Sequence, residues 1–127
     1  MFISWIMKYS DYKKLEVWNI SMNFVKNLYD LTKFFPEEEK FGLTQQIRRA
    51  GVSIPSNIAE GHARNSKKEF VHFLFISKGS SAEVETQLIL ANKLGYIEDS
   101  VCDNFVQELT RISKMLASLI NYLSSNK

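Results

Sequence analysis

The stretch Leu43-Thr-Gln-Gln-Ile-Arg-Arg-Ala-Gly-Val-Ser-Ile-Pro-Ser-Asn-Ile-Ala-Glu-Gly61 decides the fold of this chain. Its apolar residues recur at three- and four-residue steps, which predicts an amphipathic helix: Leu43, Ile47, Ala50, Ile54 and Ile58. Pro55 interrupts the pattern, because it lacks an N–H and its ring clashes with the carbonyl four residues earlier. That earlier residue is Gly51, whose backbone adjusts most easily. We therefore predict a continuous helix that is kinked at Pro55.

Helical periodicity extends over nearly all of the remaining sequence. The predicted helices cover residues 12–34, 36–60, 66–95 and a last segment that begins at Asp99 or Ser100. Gly61 is predicted as a left-handed cap of the second helix, and Ser66 with Glu69 as a capping box of the third. No segment alternates as a strand does. The prediction is one all-α domain over residues 1–127, an antiparallel up-down-up-down four-helix bundle, with residues 1–10 as a candidate N-terminal arm.

The first helix is apolar on more than one face. Its main stripe, predicted to face the core, consists of Leu15, Trp18, Met22, Val25 and Tyr29 and is widened by Leu28 and Leu31. A second set lies off this line: Val17, Ile20, Phe24 and Leu31. A helix that is too apolar for one core often buries its second face against another subunit, so we expect a homo-oligomer.

Two other patterns predict close packing. Helical spacing places most aromatic residues in the core or a subunit interface rather than on a platform for stacking bases: Trp18, Phe24, Tyr29, Phe34, Phe70, Phe73 and Phe75. The third helix carries a patch of small residues: Ser77, Gly79, Ser80, Ser81 and Ala82. Small side chains let another helix approach closely, and the kinked second helix is the expected neighbour.

Composition narrows the class of protein. The chain has 127 residues, of which 45% are hydrophobic and 24% charged, as in ordinary soluble domains. No apolar run reaches the length of a membrane span. The single cysteine, Cys102, excludes an intrachain disulfide, fits a reducing cytoplasm and falls on the apolar face of the fourth helix. We expect a cytoplasmic protein with no membrane contact.

The candidate catalytic and metal-binding residues do not form a complete site. Glu69-Phe-Val-His72 has the spacing of a di-iron ligand pair, but such bundles need two of these motifs and two more glutamates. The other histidine, His62, has no glutamate three residues before it. No nucleophilic triad or phosphate-binding loop is discernible. We therefore predict no enzyme, no metal and no cofactor.

Several polar residues are predicted to hold the bundle together. Glu83 and Glu85 lie two residues apart on a helix, so their side chains point to different sides. One of them is expected to face inward and to need a partner, for which Arg48, Arg49 and Asn57 are candidates. The predicted structural network comprises Asn57, Glu60, Glu83 and Glu85.

The basic residues are the best functional candidates. Residues 40–82 contain seven lysines and arginines against two glutamates, although the net charge of the chain is only +2. The candidate nucleic-acid contacts are Arg48 and Arg49 together with those around the turn between helices two and three: Arg64, Lys67 and Lys68. Two alternatives stay open, namely a solvated face with internal ion pairs, and a scaffold that binds a protein and has no direct role on nucleic acid.

Four segments together resemble one family of bacterial proteins. They are Tyr12-Lys-Lys-Leu-Glu-Val-Trp18, Leu43-Thr-Gln-Gln-Ile-Arg-Arg-Ala50, Ser53-Ile-Pro-Ser-Asn-Ile-Ala-Glu-Gly61 and Gly79-Ser-Ser-Ala-Glu-Val-Glu-Thr-Gln-Leu88. In this order they are similar to the four-helix-bundle proteins, also called 23S rRNA intervening-sequence or S23-type proteins. The matching positions are Arg48, Arg49, Pro55, Asn57, Glu60, Gly61, Ser80, Glu83 and Glu85.

The resemblance carries its own expectations. It implies a small bacterial protein, often encoded within insertions in the large-subunit ribosomal RNA gene, that assembles into a ring-shaped homopentamer. It implies association with RNA, and a distantly similar branch assists reverse transcriptases through a basic surface. No catalytic residues are assigned in that family, so the resemblance implies none here.

Overall fold

The computed structural model describes residues 11–125, which form helices and no strand. Four long helices follow one another: α1 (Glu16–Thr32), α2 (Leu43–Ala63), α3 (Lys67–Lys93) and α4 (Asp99–Ser125). Two short 3-10 turns precede α1 and α2, at Asp11–Lys14 and Glu37–Glu39. Each long helix packs on its neighbour in sequence, and α1 also contacts α4, which closes the four-helix bundle. The predicted all-α bundle is confirmed, and the proposed arm at residues 1–10 lies outside the described residues.

The core is built from the apolar stripes of all four helices. The fully buried large side chains are Leu28, Ile47, Ile54, Ile58, Leu74, Val84, Leu88, Leu109, Ile112 and Leu116. Three of them belong to the stretch between residues 43 and 61, and α2 runs unbroken through Pro55, as predicted. Cys102 is buried as well, and this burial raises the pKa of its thiol.

The buried stripe of α1 differs from the predicted one. Its buried residues are Val17, Ser21, Phe24, Leu28 and Thr32. Met22 is 45% exposed and Tyr29 is 38% exposed, so the predicted main stripe faces outward in part. Two of the buried residues carry hydroxyls, and Ser21 Oγ donates to the Val17 carbonyl (2.7 Å) while Thr32 Oγ1 donates to the Leu28 carbonyl (2.9 Å). These bonds satisfy the hydroxyls, so polar residues that the sequence places outside the apolar stripe can be buried.

Gly61 does not cap α2, and this prediction is wrong. The helix continues to Ala63, and Asn65 takes the left-handed conformation with φ of 61°. Asparagine tolerates that region better than most residues do. Gly61 is instead buried against α3, where an added Cβ would lie 2.7 Å from Phe73 Cβ. Its small size therefore serves close approach of two helices.

The start of α2 also differs from the prediction. The helix begins at Leu43 rather than at Pro36, because the backbone at Gly42 (φ −111°, ψ −115°) is not helical. The Glu39 carboxylate accepts from the Leu43 N–H (3.0 Å) and from the Tyr96 hydroxyl (2.8 Å). These bonds, the first above all, hold the pKa of Glu39 below its usual value, and the second raises the pKa of Tyr96. The bond from Tyr96 ties the chain before α2 to the connection between α3 and α4.

The small residues of α3 behave largely as predicted. Ser77, Ser80 and Ser81 are buried, and Ser77 Oγ donates to the Ile54 carbonyl of α2 (2.9 Å). The most extensive contact between helices in the described chain joins α2 to α3. Gly79 and Ala82 of the predicted patch face solvent instead. The predicted cap at the start of α3 agrees with the structure, since Ser66 Oγ accepts from the Glu69 N–H. The helix ends at Lys93, two residues before the predicted end at Gly95, which has a φ of 82°.

Candidate nucleic-acid interface

The structure divides the predicted basic residues between the two ends of α2. Arg49 and Arg64 are fifteen positions apart, which corresponds to about 22 Å along a helix. Their side chains leave the helix about 60° apart, so both point to the same general side. The predicted patch is therefore two clusters. We name the residues Lys40, Arg48 and Arg49 the groove cations, and the residues Arg64, Lys67 and Lys68 the turn cations.

Arg48 is held in place by α1. Its Nε donates to Thr32 Oγ1 (2.8 Å), and its Nη2 donates to the Tyr29 carbonyl (3.2 Å). The guanidinium carbon lies 4.6 Å from the centroid of the Tyr29 ring, within the range of a cation–π contact. The Thr32 hydroxyl in turn donates to the carbonyls of Leu28 (2.9 Å) and Tyr29 (3.2 Å). These contacts orient the guanidinium and account for part of its hydrogen-bonding capacity.

Arg49 is exposed and borders an open groove between α1 and the start of α2. The groove has a volume of about 500 Å³ and is lined by Tyr29, Lys40, Phe41, Thr44, Gln45, Arg48, Arg49 and Val52. This lining contains three cations and no carboxylate. Arg49 makes no ion pair with any residue in the described part of the chain. The groove therefore carries positive charge that its own walls do not balance.

The turn cations are more nearly balanced than the groove cations. Arg64 pairs with Glu60 (3.3 Å), and its guanidinium carbon lies 5.1 Å from the centroid of the Phe73 ring. Lys67 and Lys68 border a second cavity of about 500 Å³, whose apolar wall comes from α3 and the end of α4. Both lysines are exposed at the start of α3. An anion that binds Arg64 would compete with the exposed carboxylate of Glu60.

The predicted structural network is not one network. Asn57 donates to the carbonyl (2.7 Å) and to the hydroxyl (2.8 Å) of Ser53, whose hydroxyl is 2.8 Å from that of Ser80. This chain of bonds joins α2 to α3. The predicted glutamates stay apart from it: Glu60 pairs with Arg64, Glu83 accepts from Gln87 at 3.5 Å, and Glu85 is half-buried. None of them meets Arg48 or Arg49, because those arginines face α1 and the groove.

The histidines do not assemble a metal site. Within residues 11–125 no three side chains of histidine, cysteine, aspartate or glutamate come together in a group that could hold an ion. Glu69 and His72 are exposed on α3. The imidazoles make ring contacts instead, His62 with Phe70 and His72 with Phe73.

The groove contains residues that the sequence did not single out. Phe41 is 83% exposed and lies in the non-helical segment before α2, where helical periodicity gives no information about burial. The Nζ of Lys40 lies over one face of this ring, 5.6 Å from the centroid and within the range of a cation–π contact, which leaves the other face of the ring for a ligand. The signal in the sequence is local, an aromatic residue between a lysine and a glycine just before a helix. Its meaning depends on α1, which brings Tyr29 to the same groove.

Several aromatic and apolar residues lie at the surface. Phe34 is 84% exposed and Phe75 is 56% exposed, whereas Phe24 is buried and Trp18, Phe70 and Phe73 are half-buried. A second open groove lies along α1 and α2 and is lined by Tyr12, Trp18, Met22, Val25, Val52, Pro55, Ser56 and Ala59. Val52 also lines the groove of Lys40, Arg48 and Arg49, so the two grooves adjoin. On α3 the exposed apolar residues include Ile76, Ile89 and Leu90.

None of the helices within residues 11–125 combines the length and apolarity that crossing a bilayer requires. This agrees with the absence of an apolar run of that length in the sequence.

Comparison with known proteins identifies the family. The sequence model of the 23S rRNA-intervening sequence proteins matches residues 13–118. A crystal structure of a protein of unknown function, from the S23 ribosomal protein family of Bacteroides thetaiotaomicron, matches with a TM-score of 0.77 and 32% identity. That match covers 83% of this chain and 95% of the other. A search of curated proteins found no match. The resemblance drawn from the sequence motifs is confirmed, and the chain belongs to the family of 23S rRNA-intervening sequence proteins.

Proposed function

We propose that this protein is a non-enzymatic, oligomeric nucleic-acid-binding protein. The observation that carries the proposal is the unbalanced charge of the groove cations, since Lys40, Arg48 and Arg49 line a cavity without a carboxylate. The turn cations extend the basic surface to the other end of α2. Phosphate groups suit such sites, because arginine offers two parallel N–H donors and lysine a mobile charge.

The position of Arg48 and Arg49 supports the same proposal. Arg48 is fixed by Thr32 and Tyr29, so little side-chain entropy is lost when an anion reaches it. Arg49 is exposed, makes no ion pair within residues 11–125, and can turn toward a phosphate. A strand that contacts both clusters spans about 22 Å along α2. RNA is the polymer we favour, because the family is described as 23S rRNA-intervening sequence proteins.

Charge reversal of two turn cations tests the proposal. We expect Arg64→Glu with Lys67→Glu to weaken RNA binding by about tenfold or more at low salt, because the phosphates that these cations neutralise would keep their counterions. The slope of log affinity against log salt should fall by about one for each phosphate that is no longer neutralised. The measurement is fluorescence anisotropy of a labelled RNA from about 50 to about 200 mM salt.

A matched double variant separates this effect from net charge. Lys93→Glu with Lys114→Glu reverses two exposed lysines that line neither the groove of Lys40, Arg48 and Arg49 nor the cavity at Lys67 and Lys68. It should weaken binding much less than the reversal at the turn. Equal affinity of the two double variants would contradict the assignment of the turn cations, and circular dichroism shows that both are folded.

The exposed apolar surface supports a second candidate function, a self-associating protein-interaction scaffold. Met22, Val25 and Val52 line a groove along α1 and α2. Exposed apolar patches on a helix pair of this kind are typical of subunit or partner interfaces. We propose that the groove of Trp18, Met22, Val25 and Val52 is covered by a second copy of the chain, with the homopentamer as the expected assembly.

Native mass spectrometry tests the assembly. The wild-type protein should have about five times the 14.7 kDa mass of one chain. Met22→Lys with Val52→Lys should give smaller species, because two ammonium groups would be buried without partners. Tyr122→Lys, at a residue of α4 that is 62% exposed, is the control and should keep the assembly. A wild-type mass of one chain at micromolar concentration would contradict self-association, and a stoichiometric foreign protein would favour the scaffold.

A further inference from the structure

We infer that the groove of Tyr29, Lys40, Phe41, Arg48 and Arg49 binds single-stranded nucleic acid, with an unstacked base on the Phe41 ring and adjacent phosphates on Arg49 and Lys40. The inference rests on the proposed function and names the form of nucleic acid that this site takes. Its basis is the combination of an exposed ring with unbalanced cations in one cavity.

Phe41 is the central residue of the site. Its side chain is 83% exposed, so a large apolar ring faces water at the edge of the groove. Covering such a ring with the flat face of a base removes apolar surface from water and adds stacking energy. Sequence-tolerant binding of single strands uses aromatic rings in this way, because every base has a π face.

The cations lie where the backbone of that nucleotide would run. Lys40 Nζ is 5.6 Å from the Phe41 ring centroid, so a phosphate on this lysine is one nucleotide or less from the stacked base. Arg49 lines the same cavity. The Nε and Nη2 of Arg48 donate hydrogen bonds to Thr32 and Tyr29 of α1. The Nη1 donors of Arg48 make no hydrogen bond with another described residue. Base and phosphate contacts can therefore form together.

The same geometry argues against other anionic partners. A base inside a duplex is paired and stacked, so its face is unavailable to Phe41 unless the duplex opens. An acidic peptide would satisfy the three cations but offers no flat ring for Phe41. The volume of about 500 Å³ lies in the range of sites that take small ligands, which suits one nucleotide rather than a whole helix.

Replacement of Phe41 tests the inference with a closely matched control. Phe41→Ala and Phe34→Ala remove rings that are 83% and 84% exposed, and Phe34 does not line the groove. We expect Phe41→Ala to weaken binding of a fluorescein-labelled twelve-nucleotide oligouridylate by about fivefold or more. Phe34→Ala should leave it unchanged. Phe41→Trp should restore binding, because the indole also stacks.

Four probes identify the bound chemistry. Anisotropy is measured with oligouridylate, oligothymidylate, a twelve-base-pair RNA duplex, and inorganic polyphosphate as a competitor. Phe41→Ala should weaken both single strands and leave the duplex and polyphosphate unchanged. Similar affinity for the two single strands would indicate that the site contacts only the base and the phosphates. Tighter binding of oligouridylate would indicate a further contact with the 2′-hydroxyl. Both outcomes support the inference.

Two results would overturn the inference. In the first, Phe41→Ala binds single strands with the same affinity as the wild type. In the second, Phe41→Ala loses as much affinity for polyphosphate as for single strands, which would show that Phe41 shapes the groove without contacting a base. Failure of the proposed function looks different, because then no polyanion binds the wild-type protein and the turn variants have no effect.

Discussion

Gly61→Ala is expected to destabilise the protein by about 2–3 kcal/mol, because the added methyl group has no space. The new Cβ would lie 2.7 Å from Phe73 Cβ and 3.3 Å from the Phe70 carbonyl oxygen. Neither atom is the far end of a flexible side chain, so relief requires α2 and α3 to move apart. Urea unfolding followed by circular dichroism measures the change.

Gly79→Ala is the matched control for that experiment. Gly79 lies inside α3 and an added Cβ meets nothing within 4 Å. Alanine is the better helix former, so this variant should be more stable than the wild type by up to about 1 kcal/mol. The opposite signs of the two substitutions test close packing of α2 on α3. A Gly61→Ala variant as stable as the wild type would contradict the described contact.

Ile54→Ala is expected to lower the free energy of unfolding by about 2–5 kcal/mol. Ile54 is fully buried at the middle of α2, so the substitution leaves a cavity that the surrounding helices fill only in part. Ile89→Ala on α3 is the control, because Ile89 is 40% exposed and its loss should change stability by about 0.5 kcal/mol. Equal losses at the two positions would show that α2 does not supply the core as described.

The sequence predicts the helices and the core of α2 well, because both depend on local spacing. Ile47, Ile54 and Ile58 recur with helical period and are fully buried. Capping at Ser66 is also a local feature. Features of this kind follow from residue type and order along the chain, so no knowledge of the partner helices is needed.

The errors arise where one residue type serves two physical purposes. A glycine near a helix end suits both a left-handed cap and a close helix contact, and the position of α3 decides for contact at Gly61. On α1, hydroxyl residues appear polar in the sequence. Ser21 and Thr32 can nevertheless be buried, because each hydroxyl donates a hydrogen bond to the carbonyl four residues earlier. The predicted buried face of α1 therefore included Met22 and Tyr29, which are exposed, and left out Ser21 and Thr32, which are buried.

The candidate site was predicted in part. Arg48 and Arg49 were named from charge alone, but the partners of Arg48 lie on α1, sixteen and nineteen positions away. Spacing along α2 gives no information about such contacts. The same holds for Phe41, whose importance depends on the groove that α1 and α2 form together.

The most direct test of nucleic-acid binding is the salt dependence of oligouridylate binding to the wild-type protein and to Arg49→Gln. Arg49 contributes a charge to the groove without an ion pair in the described chain, and Lys114→Gln removes an exposed charge from α4 as the control. We predict that the wild type binds at about 50 mM salt and weakens steeply as salt rises. Arg49→Gln should bind more weakly with a slope lower by about one, whereas Lys114→Gln should keep the wild-type slope. No binding by the wild type at low salt, or identical slopes for all three proteins, would contradict the proposed role of the groove.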